Sequence, residues 1–267
     1  MPRAWPARCW WRSGSILRVS DLFVRAVAGV RVNRVTVGDT EVRKERRHGA
    51  GLVIAGGNVY FRLAGALFRM FPTMGAWVRH ETRMFQRLHH VEIRRDGRAV
   101  VMPRLPGQDV LTLLGENPDT TLPLVAAGHA LAALHDAGLS HGDCNLGNLL
   151  VDGEHARAID FDAAHDERLP LSRRAADDVL GLVLDLLRLP GDFERRVAHL
   201  LDGYAEAPRI AEDFATLTRP SGFFAASLLR ARAHGASTSE VERHLGLATS
   251  LLDRYSTSGR YSSNQRW

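Results

Sequence analysis

The part of the sequence that constrains this chain most is a polar loop followed by a short hairpin. Residues 141–148 read His-Gly-Asp-Cys-Asn-Leu-Gly-Asn, with a carboxylate at Asp143 and an amide five residues later at Asn148. Residues 149–151 and 156–159 are predicted to be strands, because an Asp-Gly turn signal lies between them. The hairpin places Asp160 twelve residues after Asn148. Carboxylate and amide oxygens are ligands that suit Mg²⁺.

This pattern resembles the catalytic and metal-binding loops of the protein-kinase-like superfamily, which read H-x-D-x-x-x-x-N and then D-F-G. The resemblance implies transfer of a phosphoryl group from ATP, with Asp143 orienting the acceptor hydroxyl and Asn148 and Asp160 holding Mg²⁺. Asp162 stands where most protein kinases have glycine. The D-F-D sequence resembles bacterial kinases that phosphorylate lipopolysaccharide sugars, and H-G-D resembles those enzymes, RIO-type kinases and aminoglycoside phosphotransferases.

The chain contains a single lysine, Lys44, among 35 basic residues. Arginine serves elsewhere, so this position is expected to need a compact ammonium group. In the resembled fold a strand lysine contacts the ATP phosphates and pairs with a helix glutamate, which implies a pair with Glu81. Met102 and Arg104, beside the predicted lobe boundary, are also expected to bind the nucleotide. No G-x-G-x-x-G sequence is present, so the ATP lid is expected to differ from that of eukaryotic protein kinases.

The predicted fold class is α+β, a two-lobed protein-kinase-like fold with a small β-rich N-lobe and a larger helical C-lobe. We predict a basic N-terminal arm over residues 1–30, the N-lobe over 31–104, the C-lobe over 105–255 and a disordered tail over 256–267. Strands are predicted at 32–37, 40–46 and 99–102, and helices at 77–88, 122–137, 177–187, 193–204, 222–234 and 239–255. Residues 48–74 are interpreted as a glycine-rich insertion, with a short apolar segment at 59–63.

Composition excludes several classes of protein. The longest apolar stretches are shorter than a membrane span needs, and the two cysteines cannot form a disulfide framework. A reducing, cytoplasmic compartment is therefore expected. Residues 1–50 hold eleven Arg or Lys against four Asp or Glu. This basic segment could contact an anionic membrane surface, lie near nucleotide phosphates or be solvated, and no nucleic-acid partner is expected.

The acceptor is predicted to be a sugar or another non-peptide molecule. Only 17 residues separate Asp160 from Asp178, which leaves little chain to hold an extended peptide. Arg173 and Arg174 on this segment could clamp an anionic group or be solvated. Asp178 is implied to tie down the catalytic-loop backbone, or is simply an acid favoured at a helix N-terminus. A RIO-like serine/threonine protein kinase and a nucleotide-binding pseudokinase scaffold remain alternatives.

Overall fold

A computed structural model describes residues 32–219, 222–233 and 236–262. Its strands are β1 Asn33–Val37, β2 Glu41–Arg46, β3 Phe68–Met70, β4 Arg94–Asp96, β5 Ala99–Pro103, β6 Gln108–Asp109, β7 Leu149–Asp152, β8 His155–Ala158 and β9 Ala163–His165. Its helices are α1 Ala50–Leu63, α2 Met74–His89, α3 Val110–Glu116, α4 Leu122–Asp136, α5 Leu171–Leu186, α6 Phe193–Gly203, α7 Ala207–Leu217, α8 Phe223–Arg232 and α9 Thr238–Ser262. This mixture of antiparallel strands and helices confirms the predicted α+β class.

The N-terminal half is built on an antiparallel sheet with the strand order β1-β2-β5-β4. Strand β5 is buried over most of its length, and in β2 the side chains of Lys44 and Arg46 point inward. Helix α2 buries Trp77, Met84 and Phe85 on one side, as its apolar spacing predicts. The sheet and this helix therefore hold Lys44 and Glu81 in fixed positions.

The glycine-rich insertion is a helix followed by a strand, which the sequence did not predict. Helix α1 spans the segment in which only a short apolar stretch was expected, and β3 pairs with β9 in an antiparallel two-stranded sheet. Gly51 is required by packing, because a Cβ there would lie 2.7 Å from the carbonyl oxygen of Pro72. The glycines in this helix permit close packing against neighbouring chain, although they weaken the helix signal in the sequence.

The C-terminal half is mostly helical and surrounds α5. All residues of this helix from Ala175 to Leu186 are buried, as expected for a central helix. It begins at Leu171, six residues before its predicted start, since Pro170 precedes it and supplies a suitable N-cap conformation. The strands β6, β7 and β8 form a small sheet beneath the catalytic loop, and β7 and β8 are the predicted hairpin.

The predicted C-terminal tail needs correction. Helix α9 continues to Ser262, so residues 256–262 are helical. Ser256 is buried and its hydroxyl donates to the carbonyl oxygens of Leu252 and Ala207, which anchors this part of the helix. Residues 263–267 and the predicted basic arm at 1–30 lie outside the described residues. None of the described helices combines the length and hydrophobicity that crossing a bilayer requires.

Candidate active site

The backbone of the catalytic loop is fixed by Asp178 on α5. The main-chain N–H groups of His141 and Gly142 donate to its two carboxylate oxygens over 2.7 and 2.9 Å. Its pKa is held below the usual range, because nearby histidines and these donors outweigh the effect of burial. Asp178 lies within the helix and not in its first turn. The expectation that this aspartate ties down the loop is therefore confirmed.

Gly142 and His141 fit their positions for steric and hydrogen-bonding reasons. Gly142 has a φ of +86°, and a Cβ there would lie 2.9 Å from the Cα atom of Ala164. The Nε2 atom of His141 donates to the carbonyl oxygen of Ile159 over 2.9 Å, and its Nδ1 accepts from the N–H of Asp143 over 3.3 Å. Burial lowers the pKa of His141, so a neutral imidazole links the loop to the hairpin.

Asn148 lies between the two predicted catalytic carboxylates. Its Nδ2 donates to the carbonyl oxygen of Asp143 over 3.0 Å, and its own carbonyl oxygen accepts from the N–H of Ile159 over 2.9 Å. Asp160 directly follows Ile159 and has a φ of +66°, which is uncommon outside glycine. Because the amide nitrogen is engaged, the amide oxygen is the atom that Asn148 offers to a cation.

The Lys44 ammonium lies among three carboxylates. Its Nζ is 3.0 Å from Glu81 Oε1, 2.7 Å from Asp160 Oδ1 and 2.8 Å from Asp162 Oδ1. The predicted Lys44–Glu81 pair is thus confirmed within the usual 4 Å limit. Burial disfavours the charged ammonium, but the three carboxylates more than offset this and raise its pKa well above the ordinary value.

Asp162 is a site residue to which the sequence gave no role. Its carboxylate accepts from Lys44, from the indole Nε1 of Trp77 over 2.6 Å and from the amide of Asn33. These partners lower its pKa although burial acts in the opposite direction. The signal was present in the sequence, because a carboxylate in place of the D-F-G glycine needs buried donors. Asp162 ties β1, β2 and α2 to the metal-binding loop.

The donor atoms of this region suit a divalent cation at Asp160. The carboxylates of Glu81, Asp160 and Asp162 lie close enough to share an ion, but Lys44 already neutralises that group. Asp160 is the most accessible of the three, with 37% of its side chain exposed. Its free oxygen and the Asn148 amide oxygen are the hard ligands that Mg²⁺ takes, so the predicted metal residues fit the ion.

A cleft of about 310 Å³ opens beside Lys44 and Asp160. Met102 and Arg104 both border it, together with apolar residues of the sheet and hairpin: Val35, Val37, Val42, Phe85, Leu105, Leu150 and Ile159. The guanidinium of Arg104 donates to the carbonyl oxygen of Gly38 in the β1–β2 turn over 3.3 Å. The cleft thus brings together the four residues that the sequence assigned to nucleotide binding, with an apolar wall that suits a purine.

A second cavity, of about 450 Å³, lies on the other side of the catalytic loop and is bordered by Asp143. Helices α1 and α8 and strand β3 supply apolar walls, and Arg188 and Arg232 supply positive charge. Sequence analysis placed an acceptor pocket beside Asp143 but did not identify α1 as a wall. Arg174 does not clamp an anion there, since its Nη1 donates to Ser140 Oγ over 3.1 Å and it borders a separate cavity.

The pKa of Asp143 is raised to about 7, first by the surrounding protein and then by repulsion from Asp160. Arg232 acts in the opposite direction. The Arg232 guanidinium donates to Asp177 Oδ1 over 2.6 Å, so its position is fixed from α5. A carboxylate with a pKa near neutrality is suited to exchange a proton with an acceptor hydroxyl.

Comparisons with known proteins agree with this geometry. Residues 112–204 match the model of the lipopolysaccharide kinase (Kdo/WaaP) family. A 3-deoxy-D-manno-octulosonic acid kinase of Xanthomonas axonopodis pv. citri (strain 306) is 35% identical over 98 residues, which cover 36% of this chain and 39% of that protein. The enzyme of the same name from Stenotrophomonas maltophilia (strain K279a) is 32% identical over 112 residues, 42% of this chain and 44% of that protein.

The chain thus spans less than half the length of the curated relatives it matches. The matched segment contains Asp143, Asn148, Asp160 and Asp178, whereas Lys44 and Glu81 precede it. Those two residues nevertheless meet at the same site. The predicted resemblance to the protein-kinase-like superfamily, in the branch of the lipopolysaccharide kinases, is confirmed.

Proposed function

We propose that this chain is a kinase that transfers the γ-phosphoryl group of ATP to a hydroxyl group of a sugar. The observation that carries the proposal is the position of the catalytic loop between two cavities. Asp160 and Lys44 border the first cavity and Asp143 borders the second. A nucleotide in the first and an acceptor in the second would meet at this loop.

Each side chain has a role that its surroundings support. Lys44, held by Glu81, binds the ATP phosphates as an ammonium group. Asp143 orients the acceptor hydroxyl and accepts its proton as that oxygen bonds to the γ-phosphorus and the bond to the ADP oxygen breaks. Mg²⁺ held by Asp160 and Asn148 would neutralise phosphate charge. The assignment of these four roles comes from the resemblance, and the distances are compatible with it.

A sugar acid fits the acceptor cavity better than a peptide does. The chain directly after the D-F-D sequence forms β9, which is paired with β3 of the insertion. That pairing occupies the edge that an extended substrate strand would need. Arg188 and Arg232 give the cavity a positive end that could receive a carboxylate, and the relatives are named as kinases of a sugar acid.

Transfer of label from γ-labelled ATP tests this function. We would incubate the purified chain alone, with envelope sugars and glycolipids, and with cell lysate, and separate the products. Label in a sugar or glycolipid fraction is expected, and Asp143→Asn and Asp160→Ala should remove it. A metal chelator should also remove it. Label confined to discrete proteins would favour the RIO-like alternative, and nucleotide binding without transfer would favour a scaffold.

A further inference from the structure

Helices α1 and α8 pack together and share an exposed apolar surface. Tyr60 of α1 and Leu228 of α8 are buried against each other's surroundings, and the rings of Tyr60 and Phe224 are 6.1 Å apart. Nine large hydrophobic side chains are exposed in the described part of the chain, and five of them lie on these two helices. We call this surface the α1–α8 face; it contains Leu52, Val53, Val59, Leu63 and Phe224.

The exposed residues of α1 form one stripe. Leu52, Val59 and Leu63 follow each other at intervals of seven and four residues, which places them on one side of the helix. Ile54, Gly57 and Tyr60 are buried on the other side. Leu52 is 82% exposed. An apolar stripe of this size on the solvent side of a helix marks an interaction surface more often than a neutral surface.

Charge around the face has one sign. Residues 47–80 and 214–239 contain no Asp or Glu, and these two stretches include α1, β3 and α8. Exposed arginines at Arg47, Arg62, Arg69 and Arg219 lie in the same stretches. An apolar helix face accompanied by arginine and free of acids is the chemistry that binds an anionic lipid surface.

The same charge disfavours other occupants. Residues 1–30 carry five arginines and one acid, so this segment repels the arginines beside the face. A second copy of the chain would bring arginines against arginines across a two-fold axis. An anionic bilayer is complementary both to the apolar stripe and to the surrounding charge.

We propose that the α1–α8 face docks this protein on an anionic phospholipid bilayer. The acceptor cavity has the same two helices as its walls, and Val53 belongs both to the cavity lining and to the exposed face. A docked molecule therefore turns the rim of this cavity towards the lipid. Resting on the function proposed above, this arrangement gives a lipid-borne sugar direct access to Asp143.

Vesicle binding of the full chain, measured without ATP, tests the docking. We expect co-sedimentation with vesicles of phosphatidylcholine and phosphatidylglycerol and little with phosphatidylcholine alone. The triple variant Leu52→Ser/Val59→Ser/Leu63→Ser should bind at least about tenfold more weakly. Arg62→Gln and Arg69→Gln should each weaken binding about fivefold, with less dependence on salt. The control is Leu122→Ser/Leu247→Ser, which alters exposed leucines elsewhere and should bind as the unaltered chain does.

Three results would overturn the proposal. The triple variant could bind anionic vesicles as the unaltered chain does, the unaltered chain could bind neither vesicle, or light scattering could show a dimer that the triple variant loses. Circular dichroism and the thermal midpoint verify that the variants fold. Transfer to a soluble sugar acid is measured separately, so vesicle binding without transfer refutes the kinase proposal alone, and transfer without vesicle binding refutes the docking alone.

Discussion

The cleft bordered by Lys44 and the cavity bordered by Asp143 differ in what holds their walls in place. Around the cleft, an ammonium and three carboxylates lie within 3.0 Å of one another's bonding atoms and fix two strands, a helix and a loop. Around the cavity, the walls are apolar faces of α1 and α8 that pack together. The first region fixes charges for phosphoryl transfer, while the second supplies a shape for the acceptor.

This difference predicts that substitutions in the two regions will separate chemistry from acceptor recognition. A lost charge in the cleft leaves its buried partners unpaired, which costs more than the loss of the contact itself. A change in the cavity wall alters which molecule fits, and leaves the nucleotide site intact. The predictions below test that separation, beginning with the largest expected effect.

Asp160→Ala and Asp143→Asn should both reduce transfer by about 10²- to 10⁴-fold or more, but for different reasons. Asp160→Ala removes a metal ligand and a partner of Lys44, so ATP affinity should also fall. Asp143→Asn should leave ATP affinity nearly unchanged, because Asp143 borders the acceptor cavity. The measurements are kcat from labelled transfer and Kd from nucleotide titration.

The control for both is Asp152→Asn, which alters an exposed carboxylate at the end of β7, on the same hairpin. It should change neither constant. Equal losses of ATP affinity in Asp143→Asn and Asp160→Ala would show that the two carboxylates do not serve separate cavities.

Asp178→Asn should lower the free energy of unfolding by about 2–4 kcal/mol. Both carboxylate oxygens accept backbone N–H groups, and the amide nitrogen of asparagine would face one of these donors. Urea unfolding followed by circular dichroism measures the change. Asp166→Asn, at an exposed carboxylate paired with Arg168, should change stability by less than about 0.5 kcal/mol. A matching small loss in Asp178→Asn would mean that the loop is held by other contacts.

The residues of the cleft could be predicted because their chemistry leaves marks in the sequence. A lone lysine, the spacing of Asp143, Asn148 and Asp160, and a hairpin turn of Asp and Gly each narrow the choice of structure. The predicted pair with Glu81 followed from them and is observed at 3.0 Å. Residues whose exact chemistry is needed can be recognised one at a time.

The walls of the acceptor cavity could not be predicted in this way. Helix α1 contains Gly51, Gly56 and Gly57, which reduce its intrinsic helix propensity. Its stability comes from packing on distant chain, such as Pro72 and α8. The β3–β9 pair joins segments almost a hundred residues apart in sequence. Such contacts depend on tertiary structure and leave no local pattern to read.

Arg188→Gln should raise the KM for an anionic sugar acceptor about tenfold, while the KM for ATP stays unchanged. Arg188 borders the cavity beside Asp143 and keeps 29% of its side chain exposed. Arg195→Gln is the matched control, since that arginine is exposed on α6. A rise in both Michaelis constants, or the same rise with a neutral sugar, would show that Arg188 does not recognise the charge of the acceptor.

The smallest effect expected is on the pH dependence of transfer, and it tests whether Asp143 accepts the proton. Its pKa is raised to about 7 by the surrounding protein and by Asp160. The carboxylate form is needed, so kcat/KM for the acceptor should fall about tenfold per unit below this pKa and rise only about twofold between pH 7 and the alkaline plateau. The residual activity of Asp143→Asn should show no such inflection. An inflection that persists in this variant would have to belong to another group, and Asp143 would then orient the hydroxyl without accepting its proton.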